Sequence, residues 1–293
     1  MSTKKRSTTG TLLLTSNDVS YYEMLMDNLE FKLNTVGKAI AIIETIQKAN
    51  RPLSIKDIAE SLGINKSSLH HHIKTLTENG YLQQDGESRK YDIGLNLVRV
   101  GQSYLQRLDV RERGHHFLEQ LSRKLSETVH MLVLDKDEVV YVDKVDVNHQ
   151  PGALKCTSFI GLRRDVYSTA SGKVLLSHLE RGALDNILNG LTMSPLTEHT
   201  ITKKNKFREE LVMVRERGYA LDLQENALGL QCIAVPIFNL HSQCVAAISV
   251  SSPVASISRE TLESEIRHHL LETGRKISEA MGYPFSKGTL RAS

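Results

Sequence analysis

Apolar residues between Thr35 and Ile93 fall into three short helical rhythms and then a hairpin. Val36, Ala39, Ile40, Ile43 and Ile46 recur at the spacing of one helical face, with Thr35 ahead of them as an N-cap, and Arg51-Pro52 breaks the run. Ser54 opens a second helix with Ile55, Ile58, Ala59 and Leu62 inward, and Asp57 supplies the acidic partner of a capping box. Gly63 interrupts it. Asn65 caps a third helix, Lys66 to Asn79, whose inner side is Leu69, Ile73 and Leu76 and whose stop is Gly80. Tyr81-Leu82 then begins a strand, Gln84 to Arg89 form a polar tip around Asp85-Gly86, and Lys90 to Ile93 return.

Gly94 to about Leu108 is helical again, with Leu95, Val98, Tyr104 and Leu105 apolar, a stripe suited to joining domains or copies. Beyond it the pattern predicts an amphipathic helix from Arg111 to Thr128, then strands Met131 to Leu134 and Glu138 to Val145 around Asp135-Lys136-Asp137. A turn at Gln150-Pro151-Gly152 leads into a third strand, Leu154 to Ile160. Helices follow at Ser171 to His178 and Lys203 to Gly218. Two strongly apolar strands, Cys232 to Phe238 and Cys244 to Ser252, flank the tight connection Asn239-Leu240-His241-Ser242, and Ser258 caps a last helix running from Thr261 to Met281.

Helices and strands mix without regular βαβ repeats. The expected fold is therefore two-domain: an N-terminal winged helix-turn-helix, mainly α with a β-hairpin wing, and a C-terminal α+β domain around an antiparallel sheet. The expected boundaries are a flexible extension over 1–30, the winged unit over 31–94, a linker helix over 95–109, the larger domain over 110–283 and a loose tail over 284–293. Within the extension, Tyr21 to Asn28 is expected to form a short helix, and Lys4, Lys5 and Arg6 suit either contact with a DNA backbone or a merely solubilising tail.

Composition changes this picture little. A chain of 293 residues with 40% apolar residues suits two globular domains with ordinary cores. The three cysteines, Cys156, Cys232 and Cys244, offer neither a CxxC spacing nor an even disulfide framework, so a reducing cytoplasm is expected and a structural zinc site is not. No apolar run is long enough for a transmembrane helix, and Leu12 to Leu14 is too short for a signal-peptide core. The formal net charge is +3, and from Lys32 to Arg99 ten Lys and Arg stand against seven Asp and Glu, so the basic surplus sits in the N-terminal unit.

Helix, helix, glycine turn, helix and hairpin is the order of a module whose last helix is held by its apolar side and enters a major groove with the other. The outward side carries Lys66, Ser67, Ser68, His70, His71 and Lys74, with Ser67 and Ser68 in the first turn where hydroxyls and N–H groups grip phosphate. His72, next to Ile73, leans inward. Arg89 and Lys90 on the wing are placed along flanking phosphates. A solvated helical trio that never meets DNA has the same rhythm, and only the order of the parts favours the DNA reading.

The larger domain has two polar clusters set against apolar ones, GLRRDVYSTASGK from Gly161 and GYALDLQENALGLQCIAVP from Gly218. Ala170, Ser171 and Gly172 stand at a helix start, where their N–H groups suit a carboxylate or phosphate, although Ser171 reads equally as a plain N-cap. Asp222 and Glu225 precede Cys232. Ser249 and Ser251, two apart, share one face of an apolar strand, which suits a small polar ligand or local backbone bonding. An enzyme built from Cys232, Asp222 and His178 or His241 is not expected, because no spacing unites them and an apolar strand raises a thiol pKa. No cofactor is expected, and no metal, since adjacent histidines such as His115-His116 cannot all face one ion.

The chain resembles the IclR family of bacterial transcriptional regulators from about Leu33 to Gly282. LNTVGKAIAIIETI, LSIKDIAESLGINKSSLHHHIKTLTENGYL and YDIGLNLVRVG look like its winged helix-turn-helix; YSTASGKVLL, RERGYALDLQENALGLQCIAVPIF and VAAISVSSP look like its effector-binding domain, in order and at the family spacing. The resemblance implies a cytoplasmic dimer or tetramer that binds a near-palindromic double-stranded operator. It implies a repressor, or an activator, of a small catabolic operon, answering a small carboxylate such as a 2-oxo acid, sugar acid or aromatic acid. Carried onto this chain, the effector-lining positions are Ala170, Ser171, Asp222, Cys232, Ser249 and Ser251, with Cys156 and Arg164. His71 stands where the family usually has Arg, His72 where it has a bulky aliphatic, and Asp165 where it has Pro.

Overall fold

The structure is a computed structural model describing residues 35–107, 109–146 and 158–284. The expected N-terminal extension and its short helix, the turn at 150–152, Cys156 and most of the C-terminal tail lie outside the described residues. The chain divides into two compact units between Gln102 and Ser103.

In the first unit, α1 (Thr35–Ala49), α2 (Ile55–Leu62) and α3 (Lys66–Glu78) precede the antiparallel hairpin β1 (Leu82–Gln84) and β2 (Tyr91–Ile93), and α4 (Leu95–Leu105) follows. The Ser54 side chain accepts from Asp57 N–H while the Asp57 carboxylate accepts from Ser54 N–H, so both ends of the capping box are made. Gly63 ends α2 at φ 62°, a left-handed turn that a Cβ would strain, and Asn65 then accepts from Ser68 N–H to start α3. Ile42, Ile46, Leu53, Ile58, Leu69, Ile73 and Leu82 fill one buried core, so three elements converge on the inner side of α3. A core of this size fixes the helix by burial, each such side chain contributing roughly 1.5 to 3 kcal/mol.

The second unit is a six-stranded antiparallel sheet in the order β5 (Arg163–Asp165), β4 (Glu138–Val145), β3 (Thr128–Asp135), β8 (Cys244–Pro253), β7 (Leu230–Phe238), β6 (Ala220–Leu223). Strand residues alternate between two cores. Val129, Met131, Ile233, Val235, Ile248 and Val250 face α5 (Asp109–Leu125) and α10 (Arg267–Ala280). Leu132, Ala220, Ala234 and Ala247 face α6 (Ala170–Ser177) and α8 (Lys204–Arg217), with α7 (Arg181–Gly190) on the same layer. The last helical stretch begins as α9 (Arg259–Thr261), capped by Ser258 as expected, and passes through a π-helical turn, Leu262–Ile266, into α10. A bulge between Met131 and Leu132 turns Val142 and Asp143 to the same side and returns Lys144 to the α6 side.

Several boundaries differ from the pattern. Thr128 opens β3 instead of ending the helix before it, because its cross-strand partner is Ser251. Ser158 to Ile160, the described part of the predicted third strand, is irregular, and the strand that pairs with β4 is Arg163–Asp165. Helix α7 and strand β6 were not expected; β6 is four residues long and owes its existence to pairing with β7. Thr169, not Ser171, caps α6, its hydroxyl accepting from Gly172 N–H, which leaves Ser171 inside the first turn. Gly172 itself is obligatory: a Cβ there would stand 2.2 Å from Val166 O.

Candidate functional site

Each unit holds one candidate site. On α3, burial of Leu69 and Ile73 leaves Lys66, Ser67, His70, His71 and Lys74 exposed along the opposite side. Ser68 is half-buried, its hydroxyl accepting from Lys38 Nζ of α1 at 3.2 Å. Among the described residues Lys74 pairs with the exposed Glu78 one turn on, at 3.7 Å, a pairing too wet to hold it from an anion. His72 leans inward as expected; burial, then Lys38 and His71, lower its pKa.

Arg89 and Lys90 follow the wing tip, Arg89 exposed and Lys90 half-buried. The tip closes through Asp85, whose N–H donates to Lys90 O at 2.9 Å, whose carbonyl accepts from Arg89 N–H, and whose carboxylate takes the Ser88 hydroxyl. Leu82 and Tyr91 anchor the hairpin in the core, and the half-buried Ile93 packs against it.

In the second unit, cross-strand register assembles a polar patch on the α6 side of the sheet. Thr128, Ser251, Cys232 and Asp222 lie opposite one another across β3, β8, β7 and β6. The adjacent row is His130, Ser249, Ala234 and Ala220. Cys232 Sγ and Ser251 Oγ are 3.2 Å apart. Nε2 of His130 and the hydroxyl of Ser158 share a hydrogen at 2.7 Å, and Lys144 Nζ donates to Ser158 O at 2.9 Å. Burial, and after it Lys144, lowers the His130 pKa to about 3, so this imidazole is neutral at physiological pH.

The first turn of α6 closes on the same patch. Lys173, almost wholly buried, donates to Leu221 O at 2.9 Å and to the Glu225 carboxylate, while Ser168 reaches Asn226. Oδ1 of Asp222 accepts from Glu225 N–H at 2.7 Å and Asn226 N–H at 3.3 Å, and Thr197 and Thr200 each donate to a carbonyl of the same turn at 2.7 Å. Two carboxylates thus share one lysine in a dry setting. Burial and then the Glu225 charge push the Asp222 pKa up to about 7, against the pull of Lys173 and the two N–H groups.

Of the positions marked in the sequence, Asp222, Cys232, Ser249 and Ser251 share one face of the sheet, against which the helix that carries Ala170 and Ser171 packs. Arg164 does not join them. It pairs with Val139, which pairs with Leu134, four residues along β3 from His130 and three strands from Ser249, a separation on the order of 20 Å. Cys156 lies outside the described residues. His130, Ser158 and Lys144 escaped sequence reading; the one available signal was His130 lying two positions from Thr128 and Leu132, which puts all three on one strand face.

Neither histidine named as a partner for Cys232 approaches it. His178 is wedged against Phe238, six residues further along β7 and so roughly 20 Å away, and His241 sits in the following turn. Among the described residues, the single trio spaced for a metal ion is His268, His269 and Glu272 on α10, and Glu272 is already paired to Lys276 at 2.8 Å. No described helix is long and apolar enough to cross a membrane.

A winged helix-turn-helix joined to an α+β unit with a buried polar patch defines a class: a DNA-binding regulator with an effector-binding domain. Residues 35–86 match the IclR helix-turn-helix domain, and residues 102–279 match the bacterial transcriptional regulator IclR C-terminal domain. The HTH-type transcriptional regulator XynR of Escherichia coli K12 is 34% identical over 254 residues, 86% of this chain and 98% of that protein. The IclR structure from Thermotoga maritima superposes with a TM-score of 0.72 at 33% identity, covering 86% of this chain and 100% of that one. The inducer-binding domain of PobR from Acinetobacter, a double mutant in complex with 3-hydroxybenzoic acid, gives 0.53 at 30% identity over 56% of this chain and 94% of that one. The chain belongs to the IclR family of bacterial transcriptional regulators, and its relatives are regulators, not enzymes.

Proposed function

We propose that the protein is a cytoplasmic repressor of a small catabolic operon, released when a small carboxylate occupies the second unit. The carrying observation is the division of α3 into a buried side, Leu69 and Ile73, and an exposed side, Lys66, Ser67, His70, His71 and Lys74. In this reading the exposed side reads base edges, Ser67, Ser68 and Lys90 hold phosphate with Arg89, and the units act over 31–94 and 110–283 with 95–109 as their link. His71, where an Arg is usual, lacks the bidentate reach to guanine and weakens selection at that base pair. An activator differs only in which arrangement the effector favours.

The effector reading rests on the polar patch, with Ala170 and Ser171 from α6 and Asp222, Cys232, Ser249 and Ser251 from the sheet. Asp222 accepts a hydroxyl, which favours a hydroxylated acid, and PobR's 3-hydroxybenzoic acid is one such molecule. Arg164, on the far edge, has no part in it. Ligand binding alters operator affinity only if the two arrangements bind ligand unequally, a coupling of roughly 1 to 3 kcal/mol.

A gel shift with the upstream region of its own gene checks the first half. Specific retardation should survive excess random competitor, and Lys66→Ala should weaken it about tenfold with little change in sequence preference; no retention over competitor would refute a regulator. A thermal-shift screen of small carboxylates checks the second, because a true effector raises the melting temperature by mass action. Retardation that no stabilising acid alters would remove the effector role.

The protein acts as a homo-oligomer, a dimer or tetramer, on a near-palindromic site. In support, α4 buries no residue and leaves Leu95 at 79% and Val98 at 63% exposure, one turn apart. Leu95→Glu with Val98→Glu should lower the sedimentation coefficient to that of a smaller assembly and reduce operator affinity at least tenfold; an unchanged oligomer places the interface elsewhere.

A further inference from the structure

Asp222, Glu225 and Lys173 are 2%, 7% and 1% exposed, so two carboxylates and one ammonium stand together out of water. Among the described residues Lys173 is the one cation that hydrogen-bonds either acid, and it does so through Glu225. Asp222 is held by two N–H groups, from Glu225 and Asn226, and Oε2 of Glu225 has no hydrogen-bond partner among the described residues. With both acids ionised the group carries one negative charge in excess. We propose that an anionic effector enters the second unit together with a proton, taken from solvent by the Asp222 and Glu225 pair, so that the protein reads acidity and ligand as one signal. The proposal rests on the effector reading of this patch and adds its regulation.

The proton follows from where a ligand carboxylate would stand. Asp222 lies opposite Cys232 and in line with Ser251, on the sheet face against which α6 packs. The start of α6 offers an anion its N–H groups, but Lys173 in the same turn is already committed to Glu225 and to Leu221 O. A ligand carboxylate there is a third negative group against one ammonium, and like charges in a dry setting cannot all stay ionised. Protonating one acid restores the balance.

The other groups against the pair are hydroxyls, a thiol and one acid. The Cys232 thiol comes from β7 and the Ser251 hydroxyl from β8, while Thr197 and Thr200 spend their hydroxyls on carbonyls of the turn. Glu210 of α8 adds repulsion to Glu225 and is itself paired to Arg217 at 2.7 Å. His130 and Lys144 stand three and four strands from Asp222, on the order of 15 to 20 Å away. The pair is already poised near neutrality: burial and then the Glu225 charge raise Asp222 to about 7, and burial also raises Glu225. A third negative charge pushes that coupled titration further up.

The test is calorimetric titration of the full chain with pyruvate, D-gluconate and 3-hydroxybenzoate, one from each class of acid that the effector reading allows. It is run at pH 7.5 in PIPES and in Tris, whose ionisation heats differ. An acid that binds should take up roughly half a proton or more per ligand, and its affinity should fall about five- to twentyfold from pH 6.5 to 8.5. Asp222→Asn and Glu225→Gln each bring the charge to balance, so uptake should drop below about 0.2 proton in either variant. Glu216→Gln, on the exposed side of α8, should keep the parent's uptake. Binding whose heat is the same in both buffers and whose affinity is level across that pH range would overturn the proton linkage and leave the effector site in place. Parent-like uptake in both Asp222→Asn and Glu225→Gln would overturn it as well. Absence of saturable binding by all three acids at pH 6.5 would instead overturn the reading of the patch as a carboxylate site.

Discussion

Leu69→Asp should abolish DNA binding by unfolding the first unit, while Lys66→Ala weakens binding with that unit intact. Leu69 has no exposed surface, and its neighbours are the aliphatic side chains of α1, α2 and β1. Truncation alone costs roughly 2 to 5 kcal/mol, and an unpaired buried carboxylate adds several more. A unit of this size is stable by only about 5 kcal/mol, so the change exceeds what holds it together. Hydrogen exchange reads the outcome: amides of α1 to α3 should lose protection while those of β3, β7 and β8 keep theirs. Protected α3 amides in a Leu69→Asp protein that no longer binds DNA would mean that Leu69 faces the duplex, and the division of α3 into two sides would be wrong.

The second large effect is electrostatic. Asp222→Asn should make the second unit more stable than the parent at pH 8 and about equal at pH 5. The Asp222 pKa is about 7 in the folded chain and 3.8 as a free side chain, with burial the main cause and the Glu225 charge the next. A carboxyl raised in this way binds more protons folded than unfolded between those values. Its contribution is therefore most favourable in acid and is lost as pH rises from about 4 to about 7. The part lost between pH 5 and 8 is on the order of 2 kcal/mol.

Asparagine keeps an oxygen for the N–H groups of Glu225 and Asn226 and removes the charge. It therefore separates the turn-bracing role of Asp222 from its ionisation. The Glu225 pKa is also raised, by burial first, and that contribution has the same sign and stays in both proteins. Urea unfolding at the two pH values decides it. Parallel pH dependence in parent and Asp222→Asn would show that Asp222 is ionised without penalty, and the Lys173, Glu225 and Asp222 arrangement would then be a simple satisfied network.

This cluster also shows where sequence reading stopped. The periodicities placed α2, α3, α8, β7 and β8 within a residue or two, because the strands carry their own apolar runs and each helix its own start or stop signal: the Ser54 and Asp57 box, Asn65, and Gly218 at φ 78°. They missed β6, whose four residues become a strand only beside β7. They left Ser171 open as the α6 cap, one polar residue too far, because a run of Ser and Thr at positions 168, 169 and 171 offers several N-caps and only the backbone chooses Thr169. Arg164 was placed at the effector by the family resemblance; pairing with Val139 carries it to the opposite margin of the sheet.

Local chemistry, written into consecutive residues, determined the helix-turn-helix, the exposed side of α3 and the family motifs, since capping bonds and helical faces involve neighbours three or four positions apart. Which strand residues meet was decided only by the tertiary structure. Pairing Thr128 and His130 with Ser251 and Ser249, and Lys173 with Glu225 beside Asp222, joins segments separated by about fifty to more than a hundred residues. Register across a sheet is chosen by the burial of whole faces at once, and a shift of one residue would have turned every one of those groups to the other core.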